Sequence, residues 1–342
     1  MSKPRVSKPH VPRTDLIWVP GEGPSAAAIQ RLRARFPRPI VPMGEAWFMG
    51  EKRKMYDSML DGSDTDFRNF GSDALWEMAT GLTSFGPIPE WTEWLHYLLG
   101  RLPELADDPV IFAYYSECIT AFMSHYPLGV SDDAKRYPVR TSADLDRDFA
   151  DDVLATLGRV NLISKHWQSH FDPAKPAINE GFLLSAALLL MIKYLADEDL
   201  PTWWRSVIAI DNPVWRTNLI VWLASVSPIF IDPAAQPAQF DQGSAAGWNP
   251  CYALKGKYII NVSRYVSENI VAPFLPAERQ QAMCSLLRQT LTPEILFAWV
   301  MEFETLPAAW FYTEPVQPVS ADYYLLDAAD RCVTAYALSD VN

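Results

Sequence analysis

The sequence predicts an all-α protein, and three observations carry that prediction. Apolar residues recur with helical periodicity along most of the chain, Asx-Pro and Thr-Pro pairs mark repeated helix starts, and strand signals are sparse. The expected architecture is an irregular multi-helix bundle or a set of HEAT-like stacked helix pairs, preceded by an extended, proline-rich N-terminal arm.

In chain order, the arm comes first, over residues 1–24. Pro4, Pro9, Pro12, Pro20 and Pro24 exclude a regular helix there, because each removes a backbone donor and fixes φ. A single α-helical domain is expected over residues 25–342. Within it Trp91, Trp94, Leu95, Leu98, Leu99 and Leu102 form one stripe at i, i+3, i+4, i+7, i+8 and i+11. Asp108-Pro109 then places an N-cap residue before a first-turn proline, ahead of Ile111, Tyr114, Tyr115, Cys118, Ile119, Phe122 and Met123. The eleven apolar-rich residues from Phe182 to Ile192, ended by Lys193, read as a buried core helix, since a membrane span needs about 20. Asn212-Pro213 opens a helix through Leu219, Ile220, Trp222, Leu223 and Val226, and Thr292-Pro293 opens another through Ile295, Leu296, Trp299 and Val300. Ser320 precedes a last helix with Leu325, Ala328, Ala329, Cys332 and Val333 in register.

The strand candidates are Lys257–Val262 and Leu16–Val19, neither bounded by a hairpin turn. Asp107-Asp108-Pro109-Val110 and Asp211-Asn212-Pro213-Val214 are near copies, but no fixed period of repeat length accompanies them. The clearest break is a long irregular loop over residues 228–250, rich in proline and glycine and expected to carry part of a functional surface. Trp248, Asn249, Tyr252 and Lys255 at its exit supply aromatic, amide and cationic groups suited to an interface.

Charge is unevenly distributed. Residues 1–56 carry 11 Lys/Arg against 4 Asp/Glu, a net of +7, while residues 57–342 carry 18 against 37, a net of −19; together they make the −12 of the chain. A body that is 49% hydrophobic and 20% charged belongs to the globular class. Thirteen Trp residues suggest either bulky inter-helix packing or an aromatic binding surface. Cys118, Cys251, Cys284 and Cys332 have no metal-type spacing and read as free thiols, which favours a reducing, cytoplasmic setting. The basic start runs into prolines rather than an apolar segment, so no secretory leader and no membrane association are expected.

Candidate chemistry is limited. Asp144, Asp148, Asp151 and Asp152 lie at i, i+4, i+7 and i+8, opposite Leu145, Phe149, Val153 and Leu157. That face is expected to be solvated and to serve as a docking surface; hard-metal binding by its oxygens is the alternative. Asp148-Phe149-Ala150-Asp151-Asp152 is loosely similar, in inverted order, to the aspartate-rich motif of class I terpenoid synthases, which bind magnesium diphosphate. The second metal motif of those enzymes has no counterpart, the nearest approach being Asn261 with Glu268. His166 and His170 share a helix face but lack the zincin pattern, and Asp172 is their nearest carboxylate. There is no G-x-S-x-G elbow, P-loop or dinucleotide fingerprint, and no cofactor or resident metal is expected.

The function expected from these features is non-catalytic protein binding of an immunity, adaptor or inhibitor kind found in bacteria. An acidic, Trp-rich helical surface would face a basic partner such as a toxin or secreted effector. A metal-dependent α-helical enzyme using Asp144–Asp152 is the alternative. A nucleic-acid accessory protein using the basic arm is the third option, disfavoured because the acidic body repels polyanions.

Overall fold

The computed structural model describes residues 13–20, 22–40, 89–105, 145–157, 181–232, 274–303 and 321–338, together with 115, 118, 119, 121–123, 126, 129 and 130. Among the described residues every regular element is helical and none is a strand. A single 3-10 turn, Thr14–Leu16, leads into α1 (Ala26–Arg35), α2 (Pro89–Leu99) and a second 3-10 turn, Leu102–Leu105. Then come α3 (Arg147–Leu157), α4 (Gly181–Tyr194), α5 (Leu200–Ile208), α6 (Pro213–Ile231), α7 (Ala277–Thr290), α8 (Pro293–Phe303) and α9 (Ala321–Tyr336). Leu16–Val19, a strand candidate, is instead the end of the first 3-10 turn followed by irregular backbone.

Local chemistry sets where these helices begin. Asn212 has extended backbone and its side chain accepts from the Trp215 N–H at 3.0 Å, with Pro213 at the first turn. Thr292 Oγ1 accepts from the Ile295 N–H at 3.3 Å and does the same for α8. Asp146 accepts from the Phe149 N–H at 2.8 Å and starts α3. Helix α6 runs past the expected loop start: Pro228 lies inside it, and the helix continues to Ile231. Pro228 cannot donate to the Ala224 carbonyl, and the Ser227 hydroxyl takes that acceptor at 3.0 Å. The loop boundary at residue 228 is therefore corrected; residues 233–250 lie outside the described residues.

Two hubs organise the packing. Helix α3 packs against α1, α4 and the first 3-10 turn, and α1 in turn packs against α2. Helix α6 packs against α7, α8 and α9, while α7 reaches back to α4 and α5. The buried apolar side chains form one cluster from Leu16 to Leu338. In α4, Ala187–Ile192 are 0% exposed, so this part of the helix is buried all round, as its apolar run demands. Gly100 allows α1 to close on the end of α2: a Cβ there would sit 3.2 Å from both Arg33 N and Leu32 Cβ.

The tryptophans among the described side chains are core. Trp18, Trp94, Trp203, Trp204, Trp215, Trp222 and Trp299 are between 0% and 7% exposed. This corrects the expectation of a Trp-rich surface for all seven: the apolar indole area outweighs its one polar N–H. Two of those N–H groups find partners, Trp204 on Thr290 Oγ1 and Trp215 on the Val207 carbonyl, each at 2.9 Å. Trp18 brings the end of the extended N-terminal arm into the core. It meets Trp203 edge-on at 5.6 Å and Trp215 at 5.9 Å, and its backbone N–H donates to Ser206 Oγ. Leu16 is buried beside it in the same cluster. Residues 1–12 lie outside the described residues.

Trp18→Ala is expected to cost about 3–5 kcal/mol, the range for emptying a large aromatic site in a packed core. Urea unfolding of the variant and the parent checks this. A loss below about 1 kcal/mol would mean the N-terminal segment is dispensable to the core.

Candidate functional site

The acidic face of α3 is the place to begin, because the sequence singles it out. Asp148 is exposed, as expected. Asp151 and Asp152 are not: they are 9% and 7% exposed. The expectation of a solvated carboxylate face is corrected at both positions. Residue 144 lies outside the described residues, as do Trp248, Asn249, Tyr252 and Lys255, and also Cys251, His166, His170 and Asn261.

Burial of two carboxylates demands counter-charge. The basic N-terminal stretch supplies it. Arg13 Nη1 meets Asp151 Oδ2 at 2.5 Å and Arg13 Nη2 meets Asp15 Oδ2 at 2.7 Å. Arg31 Nη2 meets Asp152 Oδ1 at 2.7 Å, and Arg35 pairs with Asp146. Arg33 donates to the Gly100 carbonyl at 2.8 Å and pairs with Glu104 at 2.6 Å. The Arg35 guanidinium also lies 5.1 Å from the Phe149 ring centroid. The alternation of Arg31, Arg33 and Arg35 sends the outer two to α3 and the middle one to the end of α2.

These contacts tune the acids in opposite directions. The Arg13 fork holds Asp15 below its ordinary value, and Arg35 does the same for Asp146. Burial pushes Asp151 up, against the pull of Arg13 and Arg147. Arginine already fills the coordination space of Asp151 and Asp152, so the chemistry of this face is ion pairing within the fold. Among the described residues no group of three or more His, Cys, Asp or Glu side chains is placed to hold a metal ion.

The network continues to the C-terminal end of α4, which the sequence analysis did not single out. Arg147, in the first turn of α3, donates to the Tyr194 carbonyl at 2.6 Å and reaches Asp151 at 3.4 Å. Arg279 of α7 donates to the Leu195 carbonyl at 2.6 Å and pairs with Asp197 at 2.9 Å. Two guanidiniums therefore satisfy the terminal carbonyls of this helix and oppose its dipole. Lys193 sits in the same turn, 7% exposed, its Nζ donating to the Phe274 carbonyl at 2.5 Å and lying 4.4 Å from the Phe274 ring centroid. Burial pushes its ammonium down from 10.5 to about 7. The sequence did hold one signal for this turn, a lone lysine closing an otherwise apolar run.

Cys118, Cys284 and Cys332 are buried free thiols, as expected from their spacing. Burial raises Cys332 to about 12, so it behaves as a small apolar group rather than a nucleophile. Buried His96 faces the Tyr126 hydroxyl at 2.6 Å between the rings of Phe36 and Phe149.

The second feature is the outer face of α8. Leu296, Trp299 and Val300 are buried toward the core, while Ile295, Phe297 and Met301 are 37%, 55% and 42% exposed. Ala298 is exposed with them, and Glu294 and Glu302 bracket the strip along the helix. Glu302 pairs with Arg216, which also pairs with Asp211 at 2.9 Å. Three of the seven exposed large apolar side chains thus lie on one helix of 11 residues, which makes it the densest apolar surface among the described residues.

Two outcomes follow from the ion network. Asp151→Ala is expected to cost about 2–3 kcal/mol, somewhat under the usual penalty for halving a fully buried pair, because Arg13 keeps 29% of its side chain exposed. Glu104→Ala removes an exposed pair and should cost under about 1 kcal/mol; denaturant titrations of both variants rank them. Lys193 gives a pH signature. The unfolded chain holds this proton up to about 10.5 and the folded chain only to about 7, so between those values unfolding takes up a proton and stability rises with pH. The slope is at most about 1.4 kcal/mol per pH unit, and Lys193→Met should remove it. A parent with no slope across this window, or one that Lys193→Met leaves unchanged, would show that the fold retains the charged form.

The chain matches no protein-family model, no curated protein and no solved structure.

Proposed function

We propose that this chain is a cytoplasmic, non-catalytic binding protein of the adaptor or immunity kind, which captures a basic protein through its carboxylate surface. The observation that supports this reading is how the arginines are used. Arg13, Arg31, Arg33 and Arg35 are committed to Asp151, Asp152, Glu104 and Asp146 within the fold. Meanwhile Asp148, Glu198, Glu278 and Asp330 are exposed, and Asp197 and Asp211 keep 83% and 89% of their side chains in solvent despite their partners. Internal pairing therefore neutralises four of the eleven basic side chains of residues 1–56, while these carboxylates face outward. A potential of that sign steers cationic partners and repels polyanions.

The same pairing argues against the two other readings. Phosphate contacts by Arg13, Arg31, Arg33 or Arg35 would have to break carboxylate pairs first. Metal binding at Asp151 and Asp152 would have to displace guanidiniums that already neutralise them. Residues 248–255 extend the proposed surface at the level of sequence, with Trp248, Asn249, Tyr252 and Lys255 as candidate contacts. No described helix is long and apolar enough to cross a membrane.

The test uses a photo-crosslinking residue at position 148, irradiated in the cells that make the protein, followed by purification of the captured protein. The reading expects a basic partner whose association slows about tenfold or more as salt rises from roughly 0.05 to 0.5 M. Asp148→Lys combined with Glu198→Lys should slow association further while leaving dissociation nearly unchanged. A tight partner that is itself acidic, or an on-rate indifferent to salt, would overturn it.

A further inference from the structure

We infer that residues 13–18 are a detachable strap seated in a recognition slot, an autoinhibitory contact that an extended segment of a partner protein displaces by offering an arginine and, five positions later, an indole or comparable ring. The strap shows in cis what the slot accepts, and it closes the slot to other chains. Shape and one ion pair read the occupant, so the slot stands or falls independently of the exposed carboxylates.

The strap's own contacts define the occupant. At one end Asp151 of α3 takes the Arg13 guanidinium at 2.5 Å. At the other, Trp203 of α5 and Trp215 of α6 meet Trp18 with ring centroids 5.6 and 5.9 Å away. Leu16, between them in sequence, is buried at 1% exposure. Two side chains of the Asp199–Ser206 stretch accept from the strap's backbone: Asp199 Oδ1 from the Arg13 N–H at 3.4 Å, and Ser206 Oγ from the Trp18 N–H at 3.0 Å. One guanidinium, one ring and the chain between them are the features that anchor protein interfaces.

The strap is held as a ligand is held. Among the described residues its backbone–backbone bonds are internal, from Leu16 N–H to Arg13 and from Ile17 N–H to Thr14, and none reaches another element. It can therefore leave without breaking the hydrogen-bond ladder of any α-helix. Docking also carries costs that the fold does not recover. The Nε1–H groups of Trp18 and Trp203 are both buried without an acceptor, which opposes the gain from burying their rings. Burial pushes the Asp151 carboxyl up despite Arg13 and Arg147, so pairing does not restore all the hydration lost. Arg13 keeps 29% of its side chain in solvent, which gives an incoming guanidinium a way to Asp151.

The next element is fixed without the strap. The Ser25 N–H donates to the Ala155 carbonyl at 3.1 Å, and α1 buries Ala28, Ile29 and Leu32. Between strap and helix, Val19 and Pro20 are exposed. Gly23 there has a φ of +69° and nothing within 4 Å of where a Cβ would stand, which suits a hinge.

The experiment uses the full chain and a fluorescent peptide with the sequence of residues 11–20, with control peptides carrying Arg13→Ala or Trp18→Ala. Anisotropy is read for the parent, for full-length Trp18→Ala, whose ring site is empty, and for full-length Arg13→Ala, whose Asp151 is freed. The peptide should bind both variants about tenfold or more tightly than the parent, in which the tethered strap competes at high effective concentration. Each control peptide should bind Trp18→Ala about tenfold or more weakly than the intact peptide, which at saturation should raise that variant's melting temperature by several degrees. Hydrogen exchange of the parent needs no variant: the Trp18 amide should be protected at least about tenfold less than the amides of α6, through an opening that leaves α6 closed. Binding no tighter in either variant than in the parent, or a Trp18 amide as protected as α6, would overturn the strap while leaving the salt-dependent capture at position 148 to decide the electrostatic reading. A parent that dimerises and becomes monomeric in Trp18→Ala would make residues 13–18 of a second copy the occupant and overturn the assignment to a partner protein. Should Trp18→Ala melt too low to titrate, Arg13→Ala and the exchange measurement settle the question.

Discussion

A helix that is apolar on every side has to end somewhere, and in this fold its end is inside the protein. Residues 187–194 of helix α4 are buried, so water does not readily satisfy its last carbonyls. Arg147 and Arg279 do so instead, one donated by the helix before it in the hub and one by the helix that bridges to the other hub. Each arginine brings a carboxylate with it, Asp151 and Asp197. Asp151 then recruits Arg13, which carries Trp18 and Leu16 into the core behind it. The capping requirement of one buried helix therefore fixes α3, α7 and the N-terminal segment relative to each other. Buried charges of this kind add little net stability compared with apolar packing, but an unpaired one is costly, so the network enforces a single arrangement.

That arrangement also resolves the charge asymmetry of the chain. A segment of net +7 beside a body of net −19 would suggest, taken alone, a basic arm reaching for an external anion. In the fold Arg13, Arg31, Arg33 and Arg35 reach across to carboxylates at α3 and beyond the end of α2. Among the described residues Asp148, Asp197, Glu198, Glu278, Asp327 and Asp330 stay exposed, and the proposed preference for a basic partner depends on them and on that pairing. The outer strip of α8 differs in kind: its exposure comes from the turn geometry of one helix, with every third or fourth residue committed to the core and the intervening ones left in solvent.

Whatever depends on short-range chemistry was readable from the chain. Asn212-Pro213 and Thr292-Pro293 mark real helix starts because an N-cap works within three residues of itself. The stripe of Trp94, Leu95, Leu98 and Leu99 is buried because helical periodicity places them on one side, and residues 187–192 before Lys193 are buried because no polar face interrupts them. The all-helical class and the free state of three cysteines belong to the same group.

Tertiary structure alone decided which polar residues lose water. Asp148, Asp151 and Asp152 look equivalent in sequence, yet only the latter two fall under α1 and the first 3-10 turn, across separations of 121 and 138 residues from their arginines. Nothing local distinguishes them, since periodicity reports which face of a helix a residue occupies and not how many other elements cover that helix. The same limit applies to tryptophan: the count of indoles is visible in the chain, but whether they form a core or a surface depends on which helices meet over them. Trp18 shows it most plainly, buried against Trp203 and Trp215 from a proline-rich stretch whose own sequence favours extended, exposed backbone. Sequence determined the elements and their apolar faces because those follow from bonds and contacts a few residues long; the fold determined the pairing of charges because that energy exists only once distant segments have been brought together out of water.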